Sequence, residues 1–146
     1  MEEHPTQTQR IILAVLALLA LAGAERMPAQ AKLPVPTLDG GSGPCSVEFT
    51  VTDGSGGPVY DAQISVEIDY GFMGLRHLDL QVATNQNGKA RFVGLPDSTD
   101  GALFFEATTD TLRGVAVADP NSECHARHGI YMARENSVAN STKPGE

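Results

Sequence analysis

Four residue groups in this chain have the types and spacing that chemistry requires, and the position of each limits what it can do. His125 and His128 lie three residues apart with Met132 close behind, while Met73 and His77 supply a second thioether-and-imidazole pair. Imidazole and thioether donors suit a soft metal such as copper. In an extended strand, however, residues three apart point to opposite faces, so His125 and His128 converge only if the chain bulges there. Serine, histidine and aspartate are all present, but no Gly-x-Ser-x-Gly elbow or other local nucleophile signature accompanies them. Asp61 and Asp69 fall on the polar side of an alternating run, where solvation accounts for them. The Gly-rich stretch Asp53–Pro58 lacks the Lys-Ser/Thr pair of a phosphate-binding loop and leads into a strand, so it is a turn. The fourth group is apolar. Phe72, Met73 and Leu75 sit in a glycine-flanked loop, Gly71–Arg76, beside Arg76 and His77. Large apolar side chains in such a loop either fold back on the core or meet a partner. Phe72, Met73, Leu75, Arg76 and His77 are therefore the candidate binding loop, with no catalytic residue assigned.

The elements that must position these groups are short strands. Cys45–Thr52 alternates apolar Val47, Phe49 and Val51 with polar neighbours. Ala62–Tyr70 alternates most regularly, with Ala62, Ile64, Val66, Ile68 and Tyr70 on one side. His77–Thr84 sets Leu78, Leu80 and Val82 against Asp79 and Gln81. Asn85–Gly88 is a tight-turn signal. Lys89–Val93 follows with Ala90 and Phe92 inward, and Gly94-Leu95-Pro96 closes it. Ala102–Thr109 is expected as a buried strand, Val115–Ala118 as a short apolar one, and Cys124–Arg134 as the last, carrying Ile130 and Met132. About seven short strands with turns between them predict an all-β, immunoglobulin-like antiparallel sandwich over residues 45–134.

A chain of 146 residues accommodates one such domain with flanking segments. The net charge of −8, without a Lys/Arg cluster, excludes a nucleic-acid footprint. Ile11–Ala24 is an uncharged aliphatic run behind Arg10. As a helix it would span about 21 Å, short of the roughly 30 Å hydrocarbon core, which suits a signal peptide over residues 1–24 with Ala22-Gly23-Ala24 at the cleavage site. Retained, the segment would be a membrane anchor and the chain's one membrane contact. Residues 25–44, rich in Pro and Gly, read as a linker, and residues 135–146 as a disordered tail. The expected location is exported: periplasmic, secreted or anchored.

An exported domain folds where disulfides persist, and this one has two cysteines. Cys45 opens the first strand and Cys124 the last. Where those strands run parallel, as in immunoglobulin-like sandwiches, both starts lie at one end, so a Cys45–Cys124 bridge is expected. A reactive or metal-binding thiol would need partners such as a Cys-x-x-Cys motif, which the sequence lacks.

Pro58-Val59, Asp61-Ala62, Ile64 and Val66, followed by Thr84-Asn85, Asn87-Gly88, Ala90-Arg91-Phe92 and Gly94-Leu95-Pro96, resemble the pattern of carboxypeptidase regulatory-like (transthyretin-related) β-sandwich domains. The resemblance covers roughly Val47–Ala133. It implies a non-enzymatic module of an exported protein, engaging a protein or glycan in the cell envelope, with no cofactor. It carries over no catalytic residue, because the matching positions are turns and core. The second reading is a periplasmic copper protein using His125 and His128.

Overall fold

Alternation becomes strand wherever one face can be buried. The computed structural model describes residues 33–134, and these belong to a compact unit that begins at Leu33. The strands are β1 Thr37–Asp39, β2 Cys45–Thr52, β3 Gln63–Tyr70, β4 Arg76–Ala83, β5 Lys89–Leu95, β6 Leu103–Thr108, β7 Arg113–Ala118 and β8 His125–Tyr131. They form two four-stranded sheets, ordered β1-β5-β2-β8 and β4-β3-β6-β7. The second sheet is wholly antiparallel. In the first, β2 runs antiparallel to β5 but parallel to β8, and β1 runs parallel to β5. The all-β sandwich is thus the observed architecture. The expected signal peptide and tail lie outside the described residues. No helix among the described residues is long and apolar enough to cross a membrane.

The core fills from both sheets. Phe49, Phe92 and Phe105 are fully buried. Phe49 lies 4.7 Å from Phe105 and 6.2 Å from Phe92 between ring centroids, and Phe92 lies 5.3 Å from Phe105, in tilted and edge-on contacts. Ile64, Val66 and Ile68 of β3, Ile130 of β8 and Met132 just beyond it pack around them. Cys45 and Cys124 are bonded, with Cα atoms 4.5 Å apart. The parallel register Ser46↔His125 makes this possible by setting the two strand starts side by side.

Turns close as their residues dictate. Asp53 accepts hydrogen bonds from the Ser55 amide (2.9 Å), the Ser55 hydroxyl (2.6 Å) and the Gly57 amide (3.2 Å). The Asp53 carboxyl is thereby held below its usual value, chiefly by the Ser55 hydroxyl. Asn85 Oδ1 accepts from the Asn87 and Lys89 amides, each at 3.0 Å, and Gly88 takes φ 68° beside them. Thr84 is the one buried polar residue among those described. Its hydroxyl donates to the Val59 carbonyl (2.7 Å) and accepts from the Ala62 amide (3.0 Å), pinning the approach to β3 against the end of β4.

Two expectations are corrected here. The linker does not run unpaired to Pro44, because Thr37–Asp39 forms β1 against β5, in register Leu38↔Phe92. The outer edge of β5 offers backbone groups that this segment satisfies: the Arg91 amide donates to the Pro36 carbonyl (2.9 Å) and the Gly40 amide to the Val93 carbonyl (2.9 Å). Asn85 Nδ2 also donates to the Pro34 carbonyl (2.9 Å). Strand β6, expected to be buried, alternates instead: Leu103, Phe105 and Ala107 are inside and Phe104 is exposed. A sandwich sheet buries one face only, so a continuous apolar run must send every second side chain outward.

Candidate functional site

The hairpin β3–β4 ends in the candidate loop, and its register builds the site. Asp69↔His77 and Tyr70↔Arg76 are the last cross-strand pairs before the turn. Phe72–Gly74 forms a single 3-10 turn, closed by the Leu75 amide donating to the Phe72 carbonyl (3.3 Å). Gly71 (φ 81°), Met73 (φ 56°) and Gly74 (φ 67°) all take left-handed backbone values. Met73 is a costly residue at such a value, since its Cβ crowds the backbone there.

No packing offsets that cost. Phe72, Met73 and Leu75 are 82%, 82% and 80% exposed, so they do not fold back over the sandwich. The base of the turn is anchored. Tyr70 Oη accepts from the Ser42 hydroxyl (3.0 Å), and Tyr70 bridges to Thr99. The Arg76 guanidinium stands 5.9 Å from the Tyr70 ring centroid. Arg76, placed at the end of the loop by sequence, is the first residue of β4, one ahead of His77 where the strand was expected to begin.

His77 lies between two carboxylates. Its Nδ1 is 2.7 Å from Asp69 Oδ1 and its Nε2 is 2.8 Å from Asp79 Oδ1. Donation from both ring nitrogens is the hydrogen-bonding state of the imidazolium. The Asp69 contact first, and the charge of Asp79 second, raise the His77 pKa above its ordinary 6.5. Sequence reasoning missed this clasp. Alternation places Asp69, His77 and Asp79 on polar faces, but only the cross-strand register makes Asp69 the neighbour of His77.

The other candidates do not converge. His125 hydrogen-bonds Ser46 Oγ (3.0 Å) on the outer face of β8. His128 points the other way, its ring centroid 6.4 Å from that of Phe49. Met132 is fully buried in the core and Met73 is on the exposed turn. Among the described residues, no group of three or more His, Cys, Asp or Glu is placed to hold a metal. On the outer face of the first sheet, Glu48 is clamped by Arg91, whose Nε donates at 3.1 Å, with Lys89 Nζ at 3.8 Å. Arg91 first, then the nearby cations, hold the Glu48 carboxyl below its ordinary 4.5.

No protein-family model and no curated protein sequence matches the chain. Solved structures do. Catechol 1,2-dioxygenase from Acinetobacter radioresistens is 12% identical, with a TM-score of 0.46 over 77% of this chain and 62% of that one. The 3-chlorocatechol 1,2-dioxygenase from Rhodococcus opacus is 12% identical, with a TM-score of 0.46 over 83% and 77%. The fimbrial protein FimP of Actinomyces oris is 10% identical, with a TM-score of 0.42 over 70% and 32%. This chain therefore spans under two thirds of the length of the first of these enzymes. These likenesses are in keeping with a β-sandwich, and no activity, metal or partner is carried over from them. They do correct one expectation. The non-enzymatic accessory module inferred from the sequence resemblance is not supported, two of the three solved structures named being enzymes. The copper reading finds no support either, because β8 keeps His125 and His128 on opposite faces.

Proposed function

We propose that this domain recognises a protein partner through the Phe72–Leu75 turn. The observation that carries the reading is the 80–82% exposure of three large apolar side chains on a turn whose base is anchored on both strands. Each such side chain gains roughly 1.5–3 kcal/mol on full burial, and a pre-set turn loses little entropy on docking. The base of the turn carries Asp69, Asp79 and Glu67 on one face of the hairpin. The complementary surface is an apolar cup whose rim matches a base of mixed charge, with basic groups for Glu67, Asp69 and Asp79 and an acidic group for Arg76.

Two finer readings go with it. Export is supported by the Cys45–Cys124 bond, which belongs to an oxidising compartment, and by the hydrophobic N-terminal run. Kinship with carboxypeptidase regulatory-like domains is supported by the roles of its pattern residues. Thr84 ties the strand approach, Gly88 makes the hairpin turn, and Phe92 and Leu95 are core.

The test replaces Phe72 and Leu75 by serine in the full chain and compares capture of binding partners with wild type. The expected result is an unchanged unfolding midpoint and at least a tenfold loss of the captured species. A lowered midpoint with capture intact would show the turn to be structural and end the proposal. Phe72-dependent binding to phosphatidylglycerol vesicles at low salt would replace the protein partner by a membrane.

A further inference from the structure

The ladder between β3 and β6 is shorter than either strand. It pairs Gln63↔Thr108, Ile64↔Ala107 and Ser65↔Glu106, and there it stops. Beyond β3 and β6 themselves the chain closes again at the bridge Tyr70↔Thr99, where the register has slipped by two residues. Between these points residues 66–69 face the longer stretch 100–105, which must bow away from them. Gly101, at φ 94°, takes a backbone value that permits the bow. The sheet is therefore split. The split opens a depression of about 870 Å³ on the outer face of the second sheet, a volume in the range of ligand sites.

Its two walls differ in character. On the β6–β7 side the groove is lined by apolar Phe104, 66% exposed, and Val115, 59% exposed. On the β3–β4 side stand Glu67 and Asp79, directly opposite each other in register. The Thr84 amide donates to the Ala62 carbonyl (3.0 Å), which fixes the alternation of the hairpin. Glu67 and Asp79 thus form a pair without backbone bonds between them, the kind that brings side chains closest. Like charges in such a pair repel each other. Asp79 is answered by His77 at 2.8 Å, and Glu106, across the groove, by Arg113 at 3.0 Å. Among the described residues no ion pair holds Glu67. Extending the ladder two residues past Ser65↔Glu106 sets Glu67 across the split from Phe104.

We propose that this groove binds a short extended segment of another protein, one that carries a lysine or arginine beside an apolar side chain. The cation sits between the Glu67 carboxylate and the Phe104 ring, and its apolar neighbour lies against Val115. Three properties of the groove select that chemistry. Its carboxylates, on a chain of net charge −8, attract cations and repel acidic segments. The Phe104 face adds a cation–π contact beside the one carboxylate that lacks a partner cation. Lysine and arginine also have apolar stems, which cover the exposed ring while the head reaches Glu67. A neutral sugar stacks on such a ring but leaves the Glu67 charge uncompensated. Because both anchors are solvated, binding is weak and falls with added salt. The site is separate from the Phe72–Leu75 turn and does not rest on the function proposed for it.

Titration of the full chain with the peptide acetyl-Leu-Lys-Leu-Lys-Leu-amide, followed by amide NMR shifts, tests the site. The variants are Glu67→Gln, Glu67→Lys, Phe104→Ser and Phe72→Ser. The expected result is saturable shifts at Ser65, Phe104 and Val115 in the wild type and in Phe72→Ser. Binding is expected to weaken at least tenfold in Glu67→Lys and at least threefold in Phe104→Ser. Both side chains are exposed, so the unfolding midpoint should stay at the wild-type value. Glu67→Gln keeps the shape and removes only the charge, and at least a threefold loss is expected from it. Absence of saturable shifts, equal shifts from the peptide with glutamate in place of lysine, or binding that Glu67→Gln leaves unchanged would each overturn the proposal. Binding lost only in Phe72→Ser would overturn it by moving the contact to the turn. Saturable groove shifts with maltohexaose and none with the peptide would replace the basic segment by a glycan.

Discussion

His77 shows how much one residue's behaviour depends on neighbours that its sequence position does not reveal. Held between Asp69 and Asp79, it keeps its proton in the folded protein to a higher pH than in the unfolded chain. The stabilisation from this clasp is accordingly complete below pH 6.5 and fades as pH rises through the folded-state value. Glu48 works in the opposite sense. Its lowered pKa gives stabilisation that is present above 4.5 and is lost as pH falls through its folded value. We expect an NMR titration to place His77 above 6.5 and Asp69→Asn to bring it down, the Asp69 contact being the larger cause. A His77 that titrates at or below 6.5 in the wild type would show that the clasp does not persist in solution. Both carboxylates are solvated, so the effect on global stability is small and the site-specific titration is the informative reading.

At the scale of elements, alternation located the strands because a sandwich sheet has one dry face and one wet face. Ile64, Val66 and Ile68, or Ala90 and Phe92, carry that signal, and all are buried. Where both kinds of position are apolar, in β6 and β7, the period is silent, and Phe104, Val115 and Val117 prove to face outward. β1 was illegible for another reason. Three residues, Thr37–Asp39, pair only because β5 leaves an edge open to them. The turns were more readable, since their geometry excludes most residues. Gly88 sits at φ 68°, where an added Cβ would collide with the Val51 carbonyl oxygen. Gly88→Ala is expected to cost about 2 kcal/mol or more, from the left-handed backbone and the clash together. Chemical denaturation measures it, and a cost under about 0.5 kcal/mol would mean that the turn relaxes freely.

For the whole molecule, two long-range features hold the sandwich. One is the contact of Phe49, Phe92 and Phe105 between the sheets, and the other is the Cys45–Cys124 bond, which joins residues 79 apart in sequence. A loop of that length corresponds to about 4–5 kcal/mol of unfolded-state entropy. Replacing both cysteines by serine should lower the unfolding free energy by about that amount without altering the strand signature in circular dichroism. A loss under about 1 kcal/mol would show that the reduced chain is already constrained when unfolded. Cys45 is buried and Cys124 only partly so, which makes Cys124 the side that a reductant reaches first.

The sequence by itself determined the all-β class, the register of faces in β2, β3 and β5, the turn at Gly88 and the pairing of the two cysteines. All of these follow from two-residue periodicity, from residues that alone tolerate a given backbone angle, or from there being a single possible partner. Tertiary structure decided which apolar residues stay in water, which carboxylates flank His77, and which strands stand at the edges of the two sheets. Those facts depend on cross-strand register and sheet order, which link residues distant in sequence and leave no local periodicity to read.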